Sequence, residues 1–387
     1  MFKILKNQKE AQEFLKDSLY SFGYFTDIHL NPRDPHGKAG ADSVSPRFYE
    51  KIEILGNMVD FFNELPLEFV VNGGDTFHHP RIAERFKADY LNSIKKSDHP
   101  VITVIGNHDA SSYDHVLSSV ESWQSKELNL KEHAFVSNFS PIFLPSHDFS
   151  FYFIPYTLDI NALKWPNNKV SKSAIAFMHN EITGKAPEGY PLSSYSQIKA
   201  KDLDKNIYWI FGHYHTRTQL TKNILFAGAA ARNTFADSWQ PGCSLFKITD
   251  KGVESLFCPV EDREYKKFPI DVKDGKNEVI LKELSEHYAK EDIVHIVLTG
   301  KKDRVNTVYS FLSTTLPDCF SMTITKEPNT VFDSIKKSTD VQGISQIMEE
   351  TTKQNADSKN TPILLHTGNS LLESTEHTEF MEKVHVG

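Results

Sequence analysis

Five apolar runs, each ending in the same kind of polar motif, limit the folds open to this sequence. Residues 21–26 run into Asp27-Ile28-His29, and residues 68–72 into Gly74-Asp75. Residues 101–105 run into Gly106-Asn107-His108-Asp109, residues 174–177 into Met178-His179, and residues 207–211 into Gly212-His213-Tyr214-His215. Short runs rich in β-branched and aromatic residues read as strands buried on both faces. The polar residues then fall at strand C-terminal ends, where open α/β sheets carry their sites.

The residue types at those ends form a ligand set. Asp carboxylates, imidazoles and an Asn carbonyl give mixed oxygen and nitrogen donors, suited to manganese, iron or zinc rather than calcium. Asp27, His29, Asp75, Asn107, His179, His213 and His215 are too many for one ion but right for two that share a carboxylate. Two ions roughly 3.5–4 Å apart can clamp a phosphate, which makes phosphoester hydrolysis the reaction class. Each piece alone has a plainer reading: Asp-x-His and Gly-Asn-His-Asp also occur as turns with side-chain caps. Gly-His-x-His is the most specific, because alternate residues of an extended segment point the same way. His36, His99, His115, His133 and His147 lack this context and read as surface or hydrogen-bonded core residues.

In this order the motifs resemble those of the calcineurin-like metallophosphoesterases, over residues 21–216. The resemblance implies an α/β fold, a double β-sheet sandwich flanked by helices. It implies that Asp27, His29, Asp75 and His215 hold one divalent ion and that Asp75, Asn107, His179 and His213 hold the other. It makes His108 the group that protonates the leaving oxygen or stabilises the transition state, with Asp109 orienting it. An imidazole titrates near neutrality and suits that task.

The second motif extends to Gly74-Asp75-Thr76-Phe77-His78. In this it resembles the SbcD-type DNA repair nucleases, in which the His at position 78 helps place the scissile strand. Residues 223–244 carry a similar pattern at Gly228, Arg232, Thr234 and Phe235, with Ala229 where that family has Ser. The chain also departs from the family in a leading extension of about 20 residues and in Asn31, where Gly is usual. The resemblance implies manganese, DNA as substrate, a homodimer, and an SMC-like coiled-coil ATPase of the SbcC type as partner. The alternative is a stand-alone phosphodiesterase for cyclic nucleotides or other small diesters. A non-catalytic scaffold would lack ligands, and all seven are present.

The pattern along the chain divides it into an N-terminal extension (1–20), a catalytic domain (21–265), a small α/β capping domain (266–328) and a linker with helical segments (329–387). Helices are expected at residues 46–65, 80–96 and 113–126, the last two being the family's dimer contact. An αβαβ unit is expected over residues 277–289, 292–299, 303–316 and 319–326. Two amphipathic segments, residues 341–354 and 370–385, sit where the family docks its ATPase. They are too short to fold alone.

A net charge of −8 argues against a broad basic DNA-binding surface. Local clusters at residues 199–201, 266–267 and 301–304 could still track a backbone. Apolar stretches fall short of the roughly 20 residues that span a bilayer, no signal-peptide core is seen, and three cysteines lack metal spacing. The expectation is a cytoplasmic, nucleoid-associated protein with no membrane contact.

Overall fold

The computed structural model describes residues 2–37, 42–110, 133–136, 138–144, 148–157, 173–183, 198–237, 239–273 and 276–328. The expected helices at 113–126, 341–354 and 370–385 lie outside them, as do His115 and His147. The described chain divides into two compact units. The first comprises Met1–Lys267, Tyr288–Val294 and Asp318–Met322.

Two six-stranded sheets build the first unit. One has the order β12 (Gly252–Pro259), β11 (Gly242–Thr249), β1 (Tyr20–Phe25), β2 (Phe69–Asn72), β3 (Val101–Val104), β4 (Ala134–Val136). The other runs β5 (Ser140–Leu144), β6 (Phe149–Ile154), β7 (Ser173–His179), β8 (Ile207–Gly212), β10 (Ile224–Phe226), β9 (Thr218–Thr221). Strands β1 to β4 pair in parallel, as do β6, β7, β8 and β10, with antiparallel strands at the edges. The five motif-bearing runs are five of the parallel strands, one or two residues from their expected ends.

Alternation along these strands sorts side chains into three layers. Phe22, Tyr24, Phe69, Val71, Ile102 and Val104 face Phe151, Phe153, Ile175, Phe177 and Ile210 between the sheets. Phe22 stacks between Phe69 and Phe246, with ring centroids 5.3 and 5.0 Å away. On the outer face of the first sheet, Phe25, Val70, Val101 and Leu245 pack against three helices: α1 (Gln8–Leu15), α2 (Pro46–Asn63) and α3 (Glu84–Ile94). On the outer face of the second, Ala176, Met178, Trp209 and Phe211 are covered by Ile182, Ile198 and Leu203. This is the expected sandwich flanked by helices.

One expectation needs correction. Pro80 does not open a helix; α3 begins at Glu84 after Ala83 in extended conformation, where Glu84 supplies the favoured acidic first turn. Its stripe, Phe86, Tyr90 and Ile94, is buried against its own sheet. The leading extension is packed as well: α1 covers the first sheet and Ile4 bridges Val260.

The second unit comprises Phe268–His287, His295–Pro317 and the described residues from Thr323. It holds α4 (Asn277–Ser285) and α5 (Lys302–Thr315), and most of a three-stranded sheet ordered β13 (Tyr265–Val272), β14 (Ile293–Gly300), β15 (Ser321–Pro328). Val272, Leu284, Ile296, Leu298, Val305, Val308 and Leu312 form its buried core. Arg304 of the expected basic cluster donates to the Lys273 carbonyl and to Asn277 Oδ1. Among the described residues no helix is long and apolar enough to cross a membrane.

Candidate metal centre

The C-terminal ends of β1, β2, β3, β7 and β8 lie at one edge of the two sheets. Backbone pairing continues past the strands there: Asp27 N–H donates to Gly74 O, His29 N–H to Asp75 O and Leu30 N–H to Thr76 O. Asp27, His29, Asp75 and His213 adopt the left-handed region, with φ of 54°, 47°, 48° and 86°. For residues with a side chain this conformation costs about 1–2 kcal/mol each, and it persists where the surroundings over-determine it.

The donor atoms converge in two groups. Asp27, His29 and His215 form one, and Asp75, His179 and His213 the other, with ligand atoms in each within 4.8 Å of one another. Asp75 stands between them, its Oδ2 3.5 Å from His29 Nε2 and 3.2 Å from His179 Nε2. Asn107 Oδ1 lies 3.0 Å from His213 Nδ1. The seven residues expected as ligands therefore meet in one place.

Two of the rings are aimed by their other nitrogen. His179 Nδ1 donates to the Gly73 carbonyl at 2.8 Å, and His215 Nδ1 meets Asp237 Oδ1 at 2.9 Å. Asp27 accepts from Thr26 Oγ1 and from the backbone N–H of His213. His29 Nδ1 is buried without a hydrogen-bond partner, a costly condition for a polar atom, and His179 Nε2 faces the Asp75 and Asp27 carboxylates at 3.2 and 3.8 Å. A fully buried imidazole nitrogen pointing at carboxylates, in an oxygen and nitrogen donor set, fits a pair of divalent ions.

The charges agree. Burial opposes ionisation of Asp75, yet His179, His29 and His108 hold its carboxyl well below the usual carboxylate range. Burial likewise opposes the His179 cation, and the Asp75 and Asp27 carboxylates override it, pushing the ring up to about 10. Burial drives His29 far down.

His108 Nδ1 lies 2.9 Å from the His78 carbonyl, and the two rings stack at 5.2 Å with an interplanar angle of 24°. His29, His78 and His108 form a third group of convergent imidazoles. Asp109 takes a different place from the expected one. Its buried carboxyl accepts the backbone N–H groups of Thr76, Phe77 and Gly106, so it fixes the two turns and the His78 carbonyl orients His108. Burial, with the nearby Asp75 charge, pushes Asp109 up to about 7.

Several residues at the centre escaped the sequence reading. Asp237 holds His215, and Glu181 Oε2 lies 3.6 Å from His213 Nε2. Lys51, buried in α2, donates to the His29 carbonyl and to Asn233 Oδ1. Burial, together with the Arg47 charge, lowers its ammonium to about 8. His36, read as a bystander, borders the cavity of about 430 Å³ over the centre, together with Pro35, Phe235, His78 and His108. His99 and His133 are bystanders, bonded to the Phe62 carbonyl and the Val101 N–H.

No curated protein sequence matches the chain. A crystal structure of a dimetal phosphatase from Danio rerio is similar at 11% identity and a TM-score of 0.39, over 63% of this chain and 99% of that one. A family model, calcineurin-like phosphoesterase, matches residues 20–217, which include all seven convergent donors and both His78 and His108. With that match over half of its length, the chain belongs to the calcineurin-like phosphoesterase family.

Proposed function

We propose that this chain is a manganese-dependent phosphodiesterase acting on DNA, an exonuclease and endonuclease of the SbcD type. The observation that carries the reading is the His78–His108 pair. If His108 Nδ1–H donates to the His78 carbonyl, its Nε2 is left to carry a proton at the cavity. His78 lies ring against ring with it, and the resemblance to the repair nucleases would give it the task of placing the strand.

Asp27, His29 and His215 would hold one ion and Asp75, Asn107, His179 and His213 the other, with Asp75 shared. Such ions supply Lewis-acid polarisation of a phosphoryl oxygen and neutralise its charge. The protein does the rest. Water adds to the phosphorus and loses a proton to solvent as the bond to the sugar oxygen breaks; His108 would protonate that departing oxygen, the loop fixed by Asp109 keeps that imidazole in place, and His78 would position the strand. Pro35, His36 and Phe235 give the cavity an apolar wall that suits a nucleoside better than bare phosphate.

The homodimer, the SMC-like ATPase partner and a reduced cytoplasmic setting belong to the same proposal. One feature favours the alternative, a phosphodiesterase for small diesters: the net charge of −8 gives little help with a long polyanion. The deciding assay is manganese-dependent release of nucleotides from labelled duplex DNA, beside hydrolysis of bis-p-nitrophenyl phosphate, for wild type and His108→Ser. Loss of both activities in the variant supports the nuclease. Diester hydrolysis without DNA cleavage, alone or with a candidate ATPase, moves the reading to small substrates.

A further inference from the structure

Lys51 is 1% exposed and lies on a helix whose other buried residues are mostly apolar. Packing alone does not call for an ammonium there; an apolar side chain of the same length would fill the space without desolvating a charge. Its contacts say what the charge does. The Nζ donates to the His29 carbonyl at 3.2 Å and to Asn233 Oδ1 at 2.6 Å, with Asp34 Oδ2 3.7 Å away.

Asn233 continues the chain of bonds. Its Nδ2 donates to the Asp27 carbonyl at 2.9 Å, and its backbone N–H donates to Asp237 Oδ2 at 2.6 Å. Asp237 is the carboxylate that meets His215 Nδ1. One connected network therefore reaches Asp27, His29 and His215. Two of them are left-handed residues, held by their carbonyl oxygens. The second group, Asp75, His179 and His213, has its own supports in the Gly73 carbonyl, the His108 N–H and Asn107, and none of these bonds involves Lys51 or Asn233.

We propose that Lys51 and Asn233 are positioning residues for one of the two cations, the one held by Asp27, His29 and His215. The pair fixes the backbone of the Asp27-Ile28-His29 turn so that the carboxylate and imidazole converge before any ion arrives. The proposal rests on the two-metal reading but not on the identity of the substrate. Because the bonds made by Lys51 and Asn233 themselves reach only the first group, and the second is joined to it one step further on through Asp27 to His213 and His29 to Asp75, their loss acts first and most on one ion.

The test is calorimetric titration of manganese into full-length protein stripped of metal, for wild type, Lys51→Met, Asn233→Ala and the double variant. Wild type should take two ions. Each single variant should weaken one binding event by about 10–100-fold, as loss of an outer support does, and shift the other by less than about 3-fold. The double variant should lie close to the worse single variant, since both act through one network. Lys51→Met leaves the buried His29 carbonyl and Asn233 Oδ1 without this donor, so the thermal midpoint of the stripped variant should fall, and the loss confined to one binding event is what a merely structural role would not give. Should Lys51→Met fail to fold, Asn233→Ala decides alone. Equal weakening of both events, or of neither, overturns the assignment; a wild-type protein that binds fewer than two ions overturns the two-metal reading beneath it.

Discussion

The Nε2 atoms of His29 and His215 face each other at 3.2 Å although 186 residues separate them in the chain. His215 Nδ1 is engaged by Asp237, which leaves the other nitrogen to aim its lone pair at this point. Asp237→Asn preserves the shape but removes the carboxylate that sets this tautomer. It should weaken manganese binding about 10–100-fold, read by titration of the stripped variant. Unchanged affinity would mean that the ring is held by packing alone.

His108 is oriented by a backbone carbonyl and is not among the seven donors. His108→Asn should therefore keep as many divalent ions as the wild type by elemental analysis while kcat on bis-p-nitrophenyl phosphate falls about 10²–10⁴-fold, the usual contribution of a general acid. A loss of metal in step with activity would place His108 among the ligands instead.

Proton release should accompany metal binding. In the metal-free protein, burial works against a charged His179 and the Asp75 and Asp27 carboxylates prevail, so its pKa near 10 keeps it protonated at pH 7. A metal needs the neutral ring, so binding expels that proton and apparent affinity rises with pH until about 10. Titration at pH 7 in two buffers of different ionisation enthalpy measures the released protons directly. Identical heats in both buffers would contradict the assignment of His179 as a ligand.

Gly212 leaves room for the centre. A Cβ there would lie 2.4 Å from Thr26 Oγ1, 2.7 Å from His179 Nδ1 and 2.9 Å from the Gly73 carbonyl. Gly212→Ala should lower stability by about 1–3 kcal/mol through overpacking. It should also disturb the His179 to Gly73 bond, and so lose metal, which a remote alanine of equal thermal cost would not do.

Phe22 is fully buried between the sheets and stacked on two rings. Phe22→Ala should cost about 3–5 kcal/mol in denaturant unfolding. A cost under about 1 kcal/mol would mean that the aromatic layer collapses around the gap.

The strands and the seven donors were legible because short apolar runs buried on both faces and strand-end chemistry are both local signals. Helix starts were less so: Pro80 is a fair first-turn residue by rule, yet residues 81–83 are not helical and Ala83 is extended before Glu84. The outer supports were illegible for a different reason. Lys51 sits in an ordinary helical stretch where a Lys reads as solvated, and only the fold brings it 22 residues back to His29. Asp237 and Asn233 lie in a loop whose meaning comes from partners more than 200 residues earlier and about 20 earlier. Asp109 was found but given the wrong neighbour, since adjacency in sequence suggested His108 and the folded turns supplied three backbone N–H groups instead.

The two sheets contribute unequally to the centre: loops after β1, β2 and β3 bring Asp27, His29, Asp75 and Asn107, and the last residue of β7 with the loop after β8 brings His179, His213 and His215. Each group of donors draws on both sheets. Ions seated there act as rivets through the open edge of the sandwich, in a chain whose three cysteines are all free thiols. Whatever binds only the folded state stabilises it. The supply of metal thus sets how long the enzyme survives as well as how fast it turns over, and a chelator should expose the seam between the sheets to a protease.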